Sequence, residues 1–97
     1  MRAEVIKAVQ NGLAKLLDVR TLEEWNEGHA VGALHIPLDD LLAGKVEEIP
    51  KNTRIYTYCR SGGRAGKAEN YLVEHGYQAE SIGGLDDWIE YSGKVST

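Results

Sequence analysis

The chain has 97 residues, 42% of them hydrophobic and 27% charged, with two prolines, no phenylalanine and a net charge of −4. That is one domain's length, enough to bury roughly two-thirds of the unfolded surface around a single core. The balance excludes collagen-like and disordered classes, and the acidic surplus argues against a general nucleic-acid or anionic-membrane binder.

Met1 to Asn11 reads as a short amphipathic helix, with Val5, Ile6 and Val9 apolar and Lys7 and Gln10 polar. It lacks the uninterrupted apolar stretch of a signal peptide, so a cytoplasmic location is expected. A mature periplasmic chain stripped of its leader would read the same. No apolar run approaches the ~20 residues of a membrane span, which predicts a soluble chain. A first strand is expected over Leu13–Val19, centred on Leu16 and Leu17. Thr21 then caps a short helix, Glu24 three residues on completes a capping box, and Gly28 ends the helix. Ala33 to Ile36 reads as a second short strand stopped by Pro37, and Leu38, Leu41 and Leu42 are spaced for one face of a helix closing near Gly44. Lys45 to Asn52 is a charged connector.

Ile55 to Tyr58 is a third strand, rich in β-branched and aromatic residues. After the glycine-rich turn that follows comes a helix with Ala65, Ala68 and Leu72 along one side, ending at Gly76. Ala79 to Ile82 is a fourth strand, and Gly83-Gly84 leads into a last helix with Leu85, Trp88 and Ile89 on one face. Strands alternating with helices across short connections predict an α/β fold with a mostly parallel sheet covered on both sides. No repeat, linker or low-complexity tract divides residues 1–97, so one domain is expected.

Chemistry concentrates at one place. The chain holds a single cysteine, which excludes an internal disulfide and any multi-thiolate metal site. Cys59 stands where the third strand ends and Cys59-Arg60-Ser61-Gly62-Gly63-Arg64 opens a helix. Ligands of open α/β sheets bind at the carboxyl ends of the strands. Gly62 and Gly63 allow a tight turn whose backbone N–H groups form an anion-binding nest. From Arg60 to Lys67 there are three cations and no anion. The pattern predicts a thiolate nucleophile in an anion-binding cradle. A lone cysteine is more often a small core hydrophobe, and an arginine more often a solvated charge. The strand-exit position, the glycines and the two bracketing arginines reverse that preference.

Other motifs fail. The glycines lack dinucleotide-binding or P-loop spacing, and His29, His35 and His75 show no metal-ligand spacing with the cysteine. His29 reads as a hydrogen-bonded structural residue rather than a general base. Asp39 and Asp86 sit near helix starts, where negative charge is favourable. Neither a cofactor nor a metal is expected.

Four segments resemble the single-domain rhodanese family, in particular its small bacterial members of the phage-shock-protein-E type. They are Asp18-Val19-Arg20, the run from Glu24-Trp25 through Gly28-His29 to Ile36-Pro37, the loop Cys59 to Arg64, and Gly83-Gly84-Leu85-Asp86-Asp87-Trp88. The resemblance implies a three-layer sandwich with four parallel strands in the order 4-3-1-2 and the Cys59 strand central. The extra edge strand with which such domains usually open is expected to be missing, since about a dozen helical-looking residues occupy its place.

The resemblance also implies a thiosulfate sulfurtransferase. Cys59 would take the sulfane sulfur of thiosulfate or a persulfide donor and pass it, as a persulfide, to cyanide, a small thiol or a thiol protein. Arg60, Ser61, Gly62, Gly63 and Arg64 would bind the donor, the two arginines attracting a dianion. Asp18 and Arg20 would order the scaffold. A monomer is implied, with no nucleic-acid or membrane partner. Two alternatives remain. One is a non-turnover sulfur carrier or interaction module. The other is a phosphatase of the same fold, whose Cys-x5-Arg loop is one residue longer than the four residues between Cys59 and Arg64 allow.

Overall fold

A computed structural model describes residues 3–90 and 93–96. The N-terminal segment is helical, as its amphipathic pattern predicts: α1 spans Ala3–Gln10 and buries Val5 and Ile6. Then follow β1 (Ala14–Asp18), α2 (Leu22–Glu27), β2 (His29–Ala30), β3 (Leu34–His35), α3 (Leu38–Leu42), β4 (Arg54–Cys59), α4 (Gly63–Glu74), β5 (Gln78–Gly84), α5 (Leu85–Glu90) and β6 (Val95–Ser96).

Four strands form one sheet in the order β3-β1-β4-β5, every pairing parallel. This is the expected 4-3-1-2 order, with the cysteine strand flanked on both sides. Such a strand is buried on both faces and is mostly apolar, and residues 55–59 of β4 are all buried, the one polar side chain with no aromatic ring or sulfur, Thr57, having its hydroxyl hydrogen-bonded. Their alternation sorts them between two cores. Ile55 and Cys59 join Leu17, Leu41, Ala65, Ala68 and Leu72 on the α3/α4 side. Tyr56 and Tyr58 join Val5, Ile6, Leu16 and Trp88 on the α1/α5 side.

Local chemistry sets the element ends. The Thr21 hydroxyl accepts the Glu24 N–H at 3.2 Å while the Glu24 carboxylate accepts the Thr21 N–H at 3.0 Å, the reciprocal box expected there. At the end of α4, Gly76 takes a positive φ of 90° and donates to the Val73 carbonyl, the left-handed stop a glycine permits.

Several features differ from the expected outline. Leu42 does not share the buried face of α3 with Leu41, being 48% exposed against 0%, and β4 runs on through Cys59 instead of ending at Tyr58. β5 runs through Gly83 and Gly84 instead of stopping at Ile82, because Gly84 still pairs with Cys59 of β4. Ile89 does not share the buried face with Trp88. It is 47% exposed against 1% for Trp88, since α5 has only six residues and turns Trp88 and, in part, Leu85 to the core. A small antiparallel pairing of β2 with β6 was not anticipated. Two-residue strands carry no usable periodicity.

The carboxyl ends of β1 and β4 are joined through a buried carboxylate. Asp18 is fully buried, and its Oδ2 accepts from the Tyr58 hydroxyl at 2.6 Å and from the Arg20 guanidinium at 2.7 Å. Tyr58 in turn accepts the Ala30 N–H at 3.1 Å. Burial, and then its bond to Asp18, push the Tyr58 phenol well above its ordinary range, so it remains a neutral donor. Tyr58→Phe removes one donor from a buried carboxylate and one acceptor from a buried amide. It should lower unfolding free energy by about 1–3 kcal/mol, read as a reduced urea midpoint at unchanged slope.

Candidate active site

β4 delivers Cys59 to the carboxyl edge of the sheet, and the chain turns into α4 within three residues. The turn requires Gly62, which caps α4 in the left-handed region at φ 104°, ψ −22°. In that conformation the Gly62 N–H points back and donates to Cys59 Sγ at 2.9 Å. Its carbonyl accepts the Gly66 N–H at 3.0 Å, which starts the helix. Two β4 residues back from Cys59, the buried Thr57 hydroxyl donates to the Ala65 carbonyl at 2.9 Å and ties α4 to the strand. Cys59 itself is 1% exposed. Burial suits core filler and reactive thiol alike; an amide aimed at the sulfur from a helix N-terminus suits an anion there.

The loop also leans on β5. A Cβ on Gly84 would collide with the Arg60 carbonyl, and one on Gly62 would lie 3.6 Å from Gly83 Cα. The Gly83-Gly84 pair therefore admits the loop backbone against the sheet edge. Asp87 fixes it, accepting the Gly84 N–H at 2.8 Å.

The two loop arginines are placed differently. Arg60 projects outward with its side chain 77% exposed, its Nη1 4.0 Å from Glu24 Oε2. Arg64 turns towards α2 and grips Glu24 with both ends of its fork, at 2.6 Å and 3.0 Å. The Arg64 bond, with smaller help from Thr21, holds the Glu24 carboxyl at about 2 instead of 4.5, and the same bond raises Arg64. Glu24 thus does two jobs, capping α2 and holding the last loop residue. Only the first was legible from the spacing, since a partner 40 residues away leaves no local pattern. Ser61 lies in the turn and Gly63 opens α4.

Asp18 and Arg20 lie behind the loop. Arg20 spends its guanidinium on Asp18 and on the Gly28 carbonyl at 2.7 Å, which ties the end of α2 to β1. Tyr58, the other partner of Asp18, sits one residue before the cysteine; its sequence context marks it only as a β-forming residue. His29 stacks on Trp25 with ring centroids 3.5 Å apart, and its Nδ1 donates to the Trp25 carbonyl at 3.0 Å. Trp25 also stacks with His35, whose Nε2 donates to the Arg20 carbonyl at 2.8 Å. Both imidazoles are thereby engaged in the scaffold. Among the described residues no group of three or more His, Cys, Asp or Glu could hold a metal ion, and no helix is long and apolar enough to cross a membrane.

Residues 1–91 match the family model described as "Rhodanese-like domain". The thiosulfate sulfurtransferase PspE of Escherichia coli is 37% identical over 73 residues, which cover 73% of this chain and 70% of that protein. The putative sulfur carrier protein YrkF of Bacillus subtilis is 33% identical over 75 residues, 75% of this chain but only 40% of that protein. Among solved structures, "rhodanese with anions from E. coli" superposes with a TM-score of 0.70 at 34% identity, covering 76% of this chain and 89% of that one.

Two outcomes check this geometry. Gly84→Ala should displace the loop through its contact with Arg60 and cost roughly 100-fold in turnover of the cysteine chemistry with the circular dichroism unchanged. Gly66→Ala, with open space at its Cβ, should leave turnover intact and raise stability by about 0.4–1 kcal/mol. Glu24→Gln keeps a capping-box side chain but loses the charge, costing on the order of 1 kcal/mol at neutral pH after solvent screening. Because the folded state holds Glu24 at about 2 and its ordinary value is 4.5, the pair's contribution is complete above about pH 4.5 and vanishes as pH falls through about 2. Urea midpoints of wild type and Glu24→Gln should accordingly converge across that window.

Proposed function

The chain belongs to the rhodanese-like domain family, whose members among its relatives include sulfurtransferases, and we propose that it moves sulfane sulfur from thiosulfate or a persulfide donor to an outside acceptor through Cys59. The observation that carries this reading is the Gly62 N–H directed at Cys59 Sγ within a six-residue loop. In the first step the Cys59 thiolate attacks the outer sulfur of the donor. A Cys–S bond forms, and the donor S–S bond breaks with its electron pair leaving on sulfite or on the donor thiolate. The persulfide that remains carries its negative charge on the terminal sulfur, within reach of the loop amides. In the second step an acceptor thiolate or cyanide takes that sulfur, and the electrons of the persulfide S–S bond return to Cys59. Two half-reactions with a covalent intermediate give ping-pong kinetics.

The single cysteine bears on the acceptor. No second thiol exists in these 97 residues to resolve the persulfide as an internal disulfide, so the sulfur goes to cyanide, a small thiol or a thiol protein. A carrier role uses the same intermediate and differs only in what collects the sulfur; the sulfur-carrier name of one relative favours keeping it as the second reading. Phosphatase chemistry is disfavoured by the four-residue spacing, since a loop one residue shorter suits an anion smaller than a phosphoryl group.

On incubation with thiosulfate, wild type should gain the mass of one sulfur atom and lose it on addition of cyanide with release of thiocyanate; Cys59→Ser should do neither. Absence of any sulfur gain from thiosulfate or from a persulfide donor would overturn the reading. Aryl phosphate hydrolysis lost in Cys59→Ser would replace it with the phosphatase.

A further inference from the structure

The electrostatics of the loop differ from what three cations in eight residues suggest. Arg64 spends both ends of its fork on Glu24 at 2.6 Å and 3.0 Å. That carboxylate is only 15% exposed, and its cap bonds to Thr21 fix it further, so it does not swing away to free the guanidinium. Arg20 is committed to Asp18 in the same manner. Of the two loop arginines only Arg60 stays extended into solvent, and even it lies 4.0 Å from Glu24; Lys67, a turn further along α4, is also exposed. Arg60 borders an open groove of about 380 Å³ that also carries Glu27 and Asp86. Glu24 therefore offsets the charge of Arg64 and part of that of Arg60, so the loop is a poorer match for a dianion than its cation count suggests.

We propose that Glu24 is the selectivity residue of this site: by occupying the Arg64 fork it withholds that charge from the donor and tilts the protein towards singly charged sulfane-sulfur donors, persulfides and thiosulfonates, over the thiosulfate dianion. The inference rests on the sulfur-transfer reading and narrows its donor class. Glu24 acts through Arg64 and so is a positioning residue, not a catalytic one. The chemical step is the same for either donor. The Cys59 thiolate forms a bond to the sulfane sulfur, and the leaving group departs as sulfite from thiosulfate or as a sulfinate from a thiosulfonate, with charge conserved in both.

The test is single-turnover sulfur loading of wild type and Glu24→Gln, followed by intact mass, with thiosulfate as dianion and methanethiosulfonate as monoanion. Glutamine is accepted in a capping box, so the variant keeps α2. Removing one negative charge beside the site should raise loading efficiency about five- to tenfold for thiosulfate and about two- to threefold for the thiosulfonate, the gain shrinking in high salt. The dianion-to-monoanion ratio should thus rise about threefold, in apparent affinity rather than in the maximal loading rate. The converse variant, Arg64→Gln, should lower that ratio. A ratio unmoved in both variants, or equal losses for both donors, would show that the pair is only structural and overturn the proposal. Wild type loading from neither donor would instead sink the sulfur-transfer reading beneath it.

Discussion

The buried carboxylate of Asp18 is the point on which the site's geometry depends. It is fully buried at the end of β1, where a charge is tolerated only if its lone pairs are filled. Arg20 and Tyr58 fill them, and each extends the connection. Arg20 reaches the Gly28 carbonyl and so fixes the end of α2. Tyr58 binds the Ala30 amide and immediately precedes the cysteine in β4. Such a buried pair contributes less to net stability than its distances suggest, because both charges lose their hydration. What it specifies is position: two strand ends, one helix end and the residue before Cys59 meet around one carboxylate.

From there the order passes outward. With α2 held by Arg20 and capped by Thr21, Glu24 faces the loop and secures Arg64, the loop's last residue. With β5 held by Asp87 at Gly84, the other side of the loop meets backbone instead of side chain. Between these two supports the chain has little choice but to pass through the left-handed Gly62, and the amide that results is the one aimed at sulfur. Preorganisation of this kind lets a small protein stabilise a developing anion without rearranging during the reaction.

Much of this was legible in the chain. The capping box Thr21–Glu24, the apolar stripe Ala65–Ala68–Leu72 and the strand run 55–58 are local patterns, and local patterns survive in a sequence. The sheet order was not local, and it came from the resemblance in Asp18-Val19-Arg20 and Gly83-Gly84-Leu85 rather than from periodicity. What escaped was either long-range or too short. Arg64 pairing with Glu24 spans 40 residues, and Tyr58 meeting Asp18 spans the same interval. β2 and β6 have two residues each. Ile89 was misplaced because helical spacing says which residues share a face but not how much of that face a one-and-a-half-turn helix can cover. Counting cations along the loop also overlooks Glu24, since the carboxylate that pairs with Arg64 arrives from another element.

The central claim is that the Gly62 amide cradles the sulfur that Cys59 receives. Amide proton and nitrogen chemical shifts of 15N-labelled protein, recorded before and after sulfur loading and again after cyanide, test it most directly. The account predicts that the largest perturbation falls on the Gly62 amide, with smaller ones from Arg60 to Arg64, and that all reverse when cyanide removes the sulfur. Loading that left the Gly62 resonance unmoved, or that shifted amides remote from the loop instead, would contradict it.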